Sequence, residues 1–165
     1  MVLGVLLFLL MGAEKATALF FVTNECPISN SFAHEIARIC AEYQPKGIGC
    51  KLVYVDPGLS DAQARAHAAE YGHGNYPKLV DRKHALVKAT GVTITPEVAV
   101  VDRAGKVLYR GRIDDSFAVL GQPRRPVKDA DLRNALTDIV AGRPVAKPRT
   151  KALGCYISDF TSTAP

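Results

Sequence analysis

Several features are missing from this 165-residue chain, and each omission narrows the reading. Nothing repeats at a period of roughly 20 to 50 residues, and no segment is compositionally biased, so collagen, coiled coil, solenoid and disorder are excluded. No apolar run reaches the about 20 residues of a transmembrane helix. There is no C-x-x-C-H haem site, no zinc-type spacing of Cys and His, and no phosphate-binding glycine loop. His34, His67, His73 and His84 fall on predicted helices or their ends and make no metal spacing with the four Cys. No metal and no cofactor are expected. Acidic residues are sparse only in the last quarter, where eight Lys or Arg from Gly121 to Pro165 face four Asp and supply most of the formal charge of +5. These cations alternate with Pro and lack aromatic partners, so they read as a solvated tail, with no nucleic-acid partner.

What is present suits one domain with a real core: 48% of the residues are hydrophobic and 22% are charged. The run Val2 to Ala13 is apolar and uncharged and ends in small residues before Glu14 and Lys15, the pattern of a signal-peptide core. Residues 1–16 are therefore read as a signal peptide or N-terminal hydrophobic segment, with cleavage after Ala13 preferred to cleavage after Ala18. A buried first strand or helix is the alternative. Export places the protein in a periplasmic or extracytoplasmic compartment where disulfides persist, and membrane contact is expected only through an uncleaved N-terminal segment.

Residues 17–142 read as the domain. Leu19 to Val22 predicts a strand buried on both faces, as in parallel sheets. Pro27 can start a helix carrying Phe32, Ile36, Ile39 and Tyr43 on one face, and Leu52 to Val55 predicts the second strand, completing a βαβ unit. Ser60 and Gln63 form a capping-box pattern ahead of a helix that Gly72 and Gly74 can end. A short strand over 76–80 and a brief helix capped by Asp81 and stopped at Gly91 come next. Val98 to Val101 and Val107 to Ile113 flank Asp102-Arg103-Ala104-Gly105 and predict an antiparallel hairpin. Asp129 is the predicted cap of a last helix with Leu132, Leu136, Ile139 and Val140 inward. The order β-α-β-α-β-α-β-β-α is an α/β sandwich, a central mixed sheet flanked by helices. Residues 143–165 read as an extended tail carrying Cys155.

Cys26 stands between a buried strand and Pro27, at or beside a helix N-cap. Unpaired amide N–H groups there stabilise a thiolate and make a ready nucleophile; the plainer reading is a small buried hydrophobe. Thr95-Pro96, just before the hairpin, is the second feature. Pro is tolerated there only at a strand start or edge, and a cis bond would present the Thr95 backbone to a passing chain. Glu97 and Glu25 are candidate proton relays, with a strand-edge salt bridge as the alternative. Cys40 and Cys50 read as core residues that an oxidising compartment could bridge. Asp114 and Asp115, close to Arg110 and Arg112, suggest an ion-pair cluster anchoring the loop over 115–127 or the tail.

Together the strand, Cys-Pro at a helix start, Thr-Pro about 70 residues later, hairpin and final helix resemble the thioredoxin-like superfamily. The segments Glu25-Cys26-Pro27-Ile28-Ser29-Asn30, Val53-Tyr54-Val55-Asp56-Pro57, Thr95-Pro96-Glu97-Val98, Tyr109 to Asp115 and Gly154-Cys155-Tyr156-Ile157 resemble its redoxin group, which includes the alkyl hydroperoxide reductase and thiol-specific antioxidant proteins, in an exported bacterial branch. The resemblance implies a thioredoxin-like fold and thiol redox activity, with an antioxidant role among its forms and Cys26 as the attacking thiol. Two departures stand out. Ser29 replaces the second Cys of thioredoxins, so no local disulfide forms. Leu19 stands where peroxiredoxins carry Pro, and their active-site Arg falls near the Thr95-Pro96 pair.

A thiolate that attacks a disulfide, or is oxidised to sulfenic acid, needs a second thiol to release the product. Cys155 is the preferred candidate, on the mobility of a tail beside Gly154 and on the resemblance; a structural or unpaired Cys is the alternative. The expected activity is thiol-disulfide oxidoreduction. Cys26 and Cys155 are its catalytic residues, and Pro27, Thr95 and Pro96 bind substrate. The partners are a disulfide-bearing protein or small oxidant and a thiol reductant of unknown identity. A thiol peroxidase and a redox-inert binding or assembly module are the alternatives.

Overall fold

A computed structural model describes residues 13–117, 119, 121–122 and 124–158. The hydrophobic segment over 1–12 therefore lies outside the described residues, and with it the signal-peptide expectation. Strand β1 (Ala16–Val22) runs through the middle of a five-stranded sheet, parallel to β2 (Ile48–Tyr54) and antiparallel to β5 (Glu97–Asp102). The outer strands are β3 (Lys78–Val80), parallel to β2, and β6 (Val107–Gly111), antiparallel to β5. The sheet order is β3-β2-β1-β5-β6. Among the described residues no helix is long and apolar enough to cross a membrane.

A strand covered on both faces must be apolar throughout, and β1 (ATALFFV) is. Ala16, Ala18, Phe20 and Val22 join a larger core with Ile36 and Ile39 of α2 (Ala33–Tyr43), Ala64 and Ala68 of α3 (Asp61–Glu70), and Leu132 and Leu136 of α5 (Asp131–Val140). Leu19 and Phe21 face the other way, into a smaller core with Val53, Val92 and Ala99, against Leu86 and Val87 of α4 (Ala85–Thr90). The expected mixed sheet flanked by helices is the observed architecture. β1 begins at Ala16, earlier than the apolar run suggested, so a cut after Ala18 would remove part of a central strand while a cut after Ala13 would leave it whole.

Local chemistry explains several boundaries. Ser60 and Gln63 form the reciprocal capping box, at 3.1 and 2.9 Å. The Asp81 carboxylate accepts from the N–H groups of Ala85, Leu86 and Val87 and so caps α4 from outside it. In the hairpin turn, Gly105 has φ +83° while Asp102 Oδ1 accepts from Ala104 and Lys106 N–H.

Other expectations are corrected. The predicted first helix is two: α1 (Pro27–Ser31) and α2, separated at Phe32. The N-cap of α5 is Ala130, because Asp129 is engaged with Asp115 through its backbone N–H and carbonyl. Asp114 and Asp115 pair with Arg124 and Arg125 across the loop, while Arg110 and Arg112 pair with Glu97 and with Asp129 and Asp131. The extended tail is tied along the edge of the sheet. Arg110 N–H donates to Pro148 O and Thr150 N–H donates to Arg110 O. The Thr150 hydroxyl meets Tyr109 Oη at 2.7 Å and accepts from Arg112 N–H. Strand β7 (Cys155–Tyr156) then pairs antiparallel with β4 (Ile94–Thr95), with Thr95 opposite Cys155.

Candidate active site at Cys26

The parallel strand β1 ends beside a short loop that delivers Cys26 to the N-cap of α1, with Pro27 at the first helical position. The loop is held from behind. Asn30 Nδ2 donates to Asn24 O at 3.0 Å, which turns Asn30 Oδ1 to His67 Nε2, also at 3.0 Å. Because that oxygen can only accept, His67 donates from Nε2 and accepts the Tyr54 hydroxyl at Nδ1, 2.8 Å away. Burial keeps the His67 pKa below its ordinary value and favours this neutral ring. Sequence reasoning missed Tyr54, His67 and Asn30, since they act through contacts between β2, α3 and α1 that no local pattern announces.

The Cys26 side chain is 1% exposed. Its thiol lies 3.5 Å from the Thr95 carbonyl and 3.0 Å from the Cys155 sulfur. Burial pushes the Cys26 pKa up, but hydrogen bonds from the Cys155 thiol, the Ser29 N–H and hydroxyl, and the Ile28 N–H outweigh it, leaving it below the ordinary thiol value. α1 has only five residues, so the stabilisation comes from these nearby donors and not from a long helix dipole. Ser29 is 2% exposed, and its Oγ has no hydrogen-bond partner among the described residues. The residue replacing the second thioredoxin Cys thus presents a buried, unpaired hydroxyl that lowers the Cys26 pKa. Cys155 shows the opposite shift, raised to about 11 by its hydrogen bond to Cys26 and then by burial. Within the pair the proton is held more tightly on Cys155, and Cys26 is the sulfur that ionises first.

The remaining expected residues are distributed as follows. The Thr95–Pro96 peptide is cis, and Thr95 contacts Cys26 through its carbonyl and Cys155 through strand pairing. Pro27 flanks Cys26 and is exposed. The Glu97 carboxylate accepts from Thr93 N–H at 3.0 Å and lies 3.6 Å from Arg110 Nε, so it serves the strand-edge ion pair. Glu25 is exposed, and neither acid is a hydrogen-bond partner of Cys26. Cys40 and Cys50 are buried, free thiols. The Cys40 pKa is pushed far up by a hydrogen bond with Cys50 and by burial, so it stays protonated. Among the described residues no group of three or more His, Cys, Asp or Glu is arranged to hold a metal.

Comparison with known proteins agrees with this geometry. The Redoxin family model matches residues 11–122. An uncharacterized conserved protein from Geobacillus kaustophilus is 31% identical, with a TM-score of 0.78 over 92% of this chain and 80% of that one. A hypothetical protein from Sinorhizobium meliloti is 26% identical, with a TM-score of 0.74 over 87% and 79%. A secreted Mycobacterium tuberculosis disulfide oxidoreductase homologous to E. coli DsbE shares the fold at 16% identity, with a TM-score of 0.51 over 79% and 83%. No curated protein matches. With more than half of its length matched, the chain belongs to the Redoxin family, as a thioredoxin-like protein with a redox function.

Proposed function

We propose that the protein is an extracytoplasmic thiol-disulfide oxidoreductase whose redox couple is Cys26 and Cys155. The observation that carries this reading is the 3.0 Å approach of the two sulfurs, with Cys155 delivered by a strand paired to Thr95. Closing that gap to a disulfide takes a movement of about 1 Å. The Cys26 thiolate attacks one sulfur of a substrate disulfide and expels the other as a thiolate. Cys155 loses its proton and attacks Cys26 Sγ in the mixed disulfide, releasing the second substrate thiolate and leaving Cys26–Cys155 oxidised. To admit the substrate the tail must lift from Cys26, and β7 is only two residues long.

Among the described residues, the groups lowering the Cys26 pKa are hydrogen-bond donors without a cation. This favours disulfide exchange over peroxide activation. The extracytoplasmic setting rests on the apolar run at 2–13 and on the secreted Mycobacterium relative.

Peptide mapping of the oxidised, unreduced chain is the test. We expect a Cys26–Cys155 linkage, loss of turnover of a model protein disulfide in Cys26→Ser, and a mixed disulfide retained on Cys26 in Cys155→Ser. An oxidised chain with no such linkage and an ordinary Cys26 pKa would instead support a redox-inert binding module.

A further inference from the structure

The two sulfurs are close together but unequal in access. Cys26 is 1% exposed, covered in part by the strand that carries Cys155, whereas Cys155 is exposed and followed by Tyr156 at 81% exposure. In the dithiol form this cover can lift, because β7 is held to β4 by a two-residue ladder. Once Cys26 and Cys155 are joined, the bond itself keeps the cover in place. The Ile94–Thr95 edge beside Cys26 is then occupied by the chain's own tail, whose Ile157 N–H also donates to Thr93 O at 3.0 Å. A solvent thiolate meeting the oxidised protein finds only one sulfur within reach.

The leaving groups differ in the same sense. A thiolate leaving from Cys26 is received by the Ser29 N–H and hydroxyl and the Ile28 N–H. Among the described residues no donor lowers the Cys155 pKa, and its burial raises it. Displacement at a disulfide is faster when the expelled thiol has the lower pKa. Access and leaving ability therefore select the same sulfur.

Resting on the Cys26–Cys155 couple proposed above, we infer that the protein is reduced by a small thiol that bonds to Cys155 Sγ and expels Cys26, so that the oxidising and reducing partners use different sulfurs. In the first step the thiolate RS⁻ forms an RS–Sγ bond to Cys155. The Cys26–Cys155 bond breaks, and its electron pair stays on Cys26 as the thiolate. In the second, another RS⁻ attacks the RS sulfur, giving RSSR and a Cys155 thiolate that takes a proton from water. Two equivalents of thiol are oxidised and one protein disulfide is reduced. The site needs no docked polypeptide, because the edge that would pair with one is already filled.

The full chain, oxidised and mapped to confirm its linkage, is mixed with reduced glutathione, quenched with acid within the first turnover, and alkylated with N-ethylmaleimide under mildly acidic conditions. Peptide mapping then locates the two labels. We expect glutathione on Cys155 and maleimide on Cys26, in excess over the reverse arrangement by on the order of tenfold. Glutathione chiefly on Cys26, or divided equally, overturns the order of attack and leaves the redox couple standing. Absence of the Cys26–Cys155 linkage before glutathione is added overturns both.

Discussion

At the scale of single residues, the site depends on what surrounds a buried sulfur. Desolvation alone would keep Cys26 protonated, and it is the donors of Ser29 and Ile28, with the Cys155 thiol, that reverse the sign. Ser29 is the informative member, because its buried hydroxyl has no competing partner. Ser29→Ala should raise the Cys26 pKa and slow its alkylation at neutral pH. A pH series of iodoacetamide labelling in a Cys155→Ser background reads this directly, and an unchanged midpoint would remove Ser29 from the site. Cys40 is the contrasting case: equally buried, it meets another thiol instead of a donor array and stays protonated.

Between elements, the decisive contact is the pairing of β7 with β4. Gly154 lies so close to this pair that a Cβ there would collide with the Thr95 carbonyl oxygen. The next residue, Cys155, reaches Cys26 only while this close approach is kept. Gly154→Ala should therefore slow formation of the Cys26–Cys155 bond by on the order of tenfold or more, while the Cys26 labelling rate in its Cys155→Ser background stays near that of the parent. Stopped-flow oxidation of the dithiol measures the first quantity. An unaltered rate would mean that the strand pairing does not deliver Cys155. Farther back, the tail is tied to β6 by Thr150 and by close packing at Gly111, where a Cβ would collide with Thr150. The tail is thus anchored at Thr150, five residues before Cys155.

For the whole molecule, stability is coupled to pH through a neutral histidine. His73 is half-buried and bonded to Tyr76 Oη at 2.9 Å; burial, with the charges of His67, Lys78 and His34, pushes its pKa down to about 4. In the unfolded chain it titrates near about 6.5. Between these values the unfolded state binds the extra proton, so stability is full above about pH 6.5 and is lost as pH falls toward about 4. Discounted for solvent at a half-buried site, the loss amounts to about 2 kcal/mol. Urea unfolding midpoints across this range should fall in the parent chain and fall less in His73→Asn. Equal slopes in the two proteins would assign the pH dependence to other groups.

Much of the fold was legible in the chain because neighbouring residues dictate it. The all-apolar β1, the Ser60–Gln63 box, the Asp102–Gly105 turn and the Cys26-Pro27 junction each satisfy local rules of periodicity, capping or torsion. The break at Phe32 and the true partners of Asp114 and Asp115 were not legible, since packing and long-range charge pairing select them. The amino-acid order by itself determined the α/β architecture, the place of Cys26 at a helix start and that of Thr95-Pro96 at a strand edge. Only the tertiary structure decided that a tail without periodicity returns as a strand, that His67 and Asn30 brace the loop, and that Cys155 lies over Cys26. Those relations join residues up to 129 positions apart. Their energy comes from strand pairing and burial that exist only after the chain has folded.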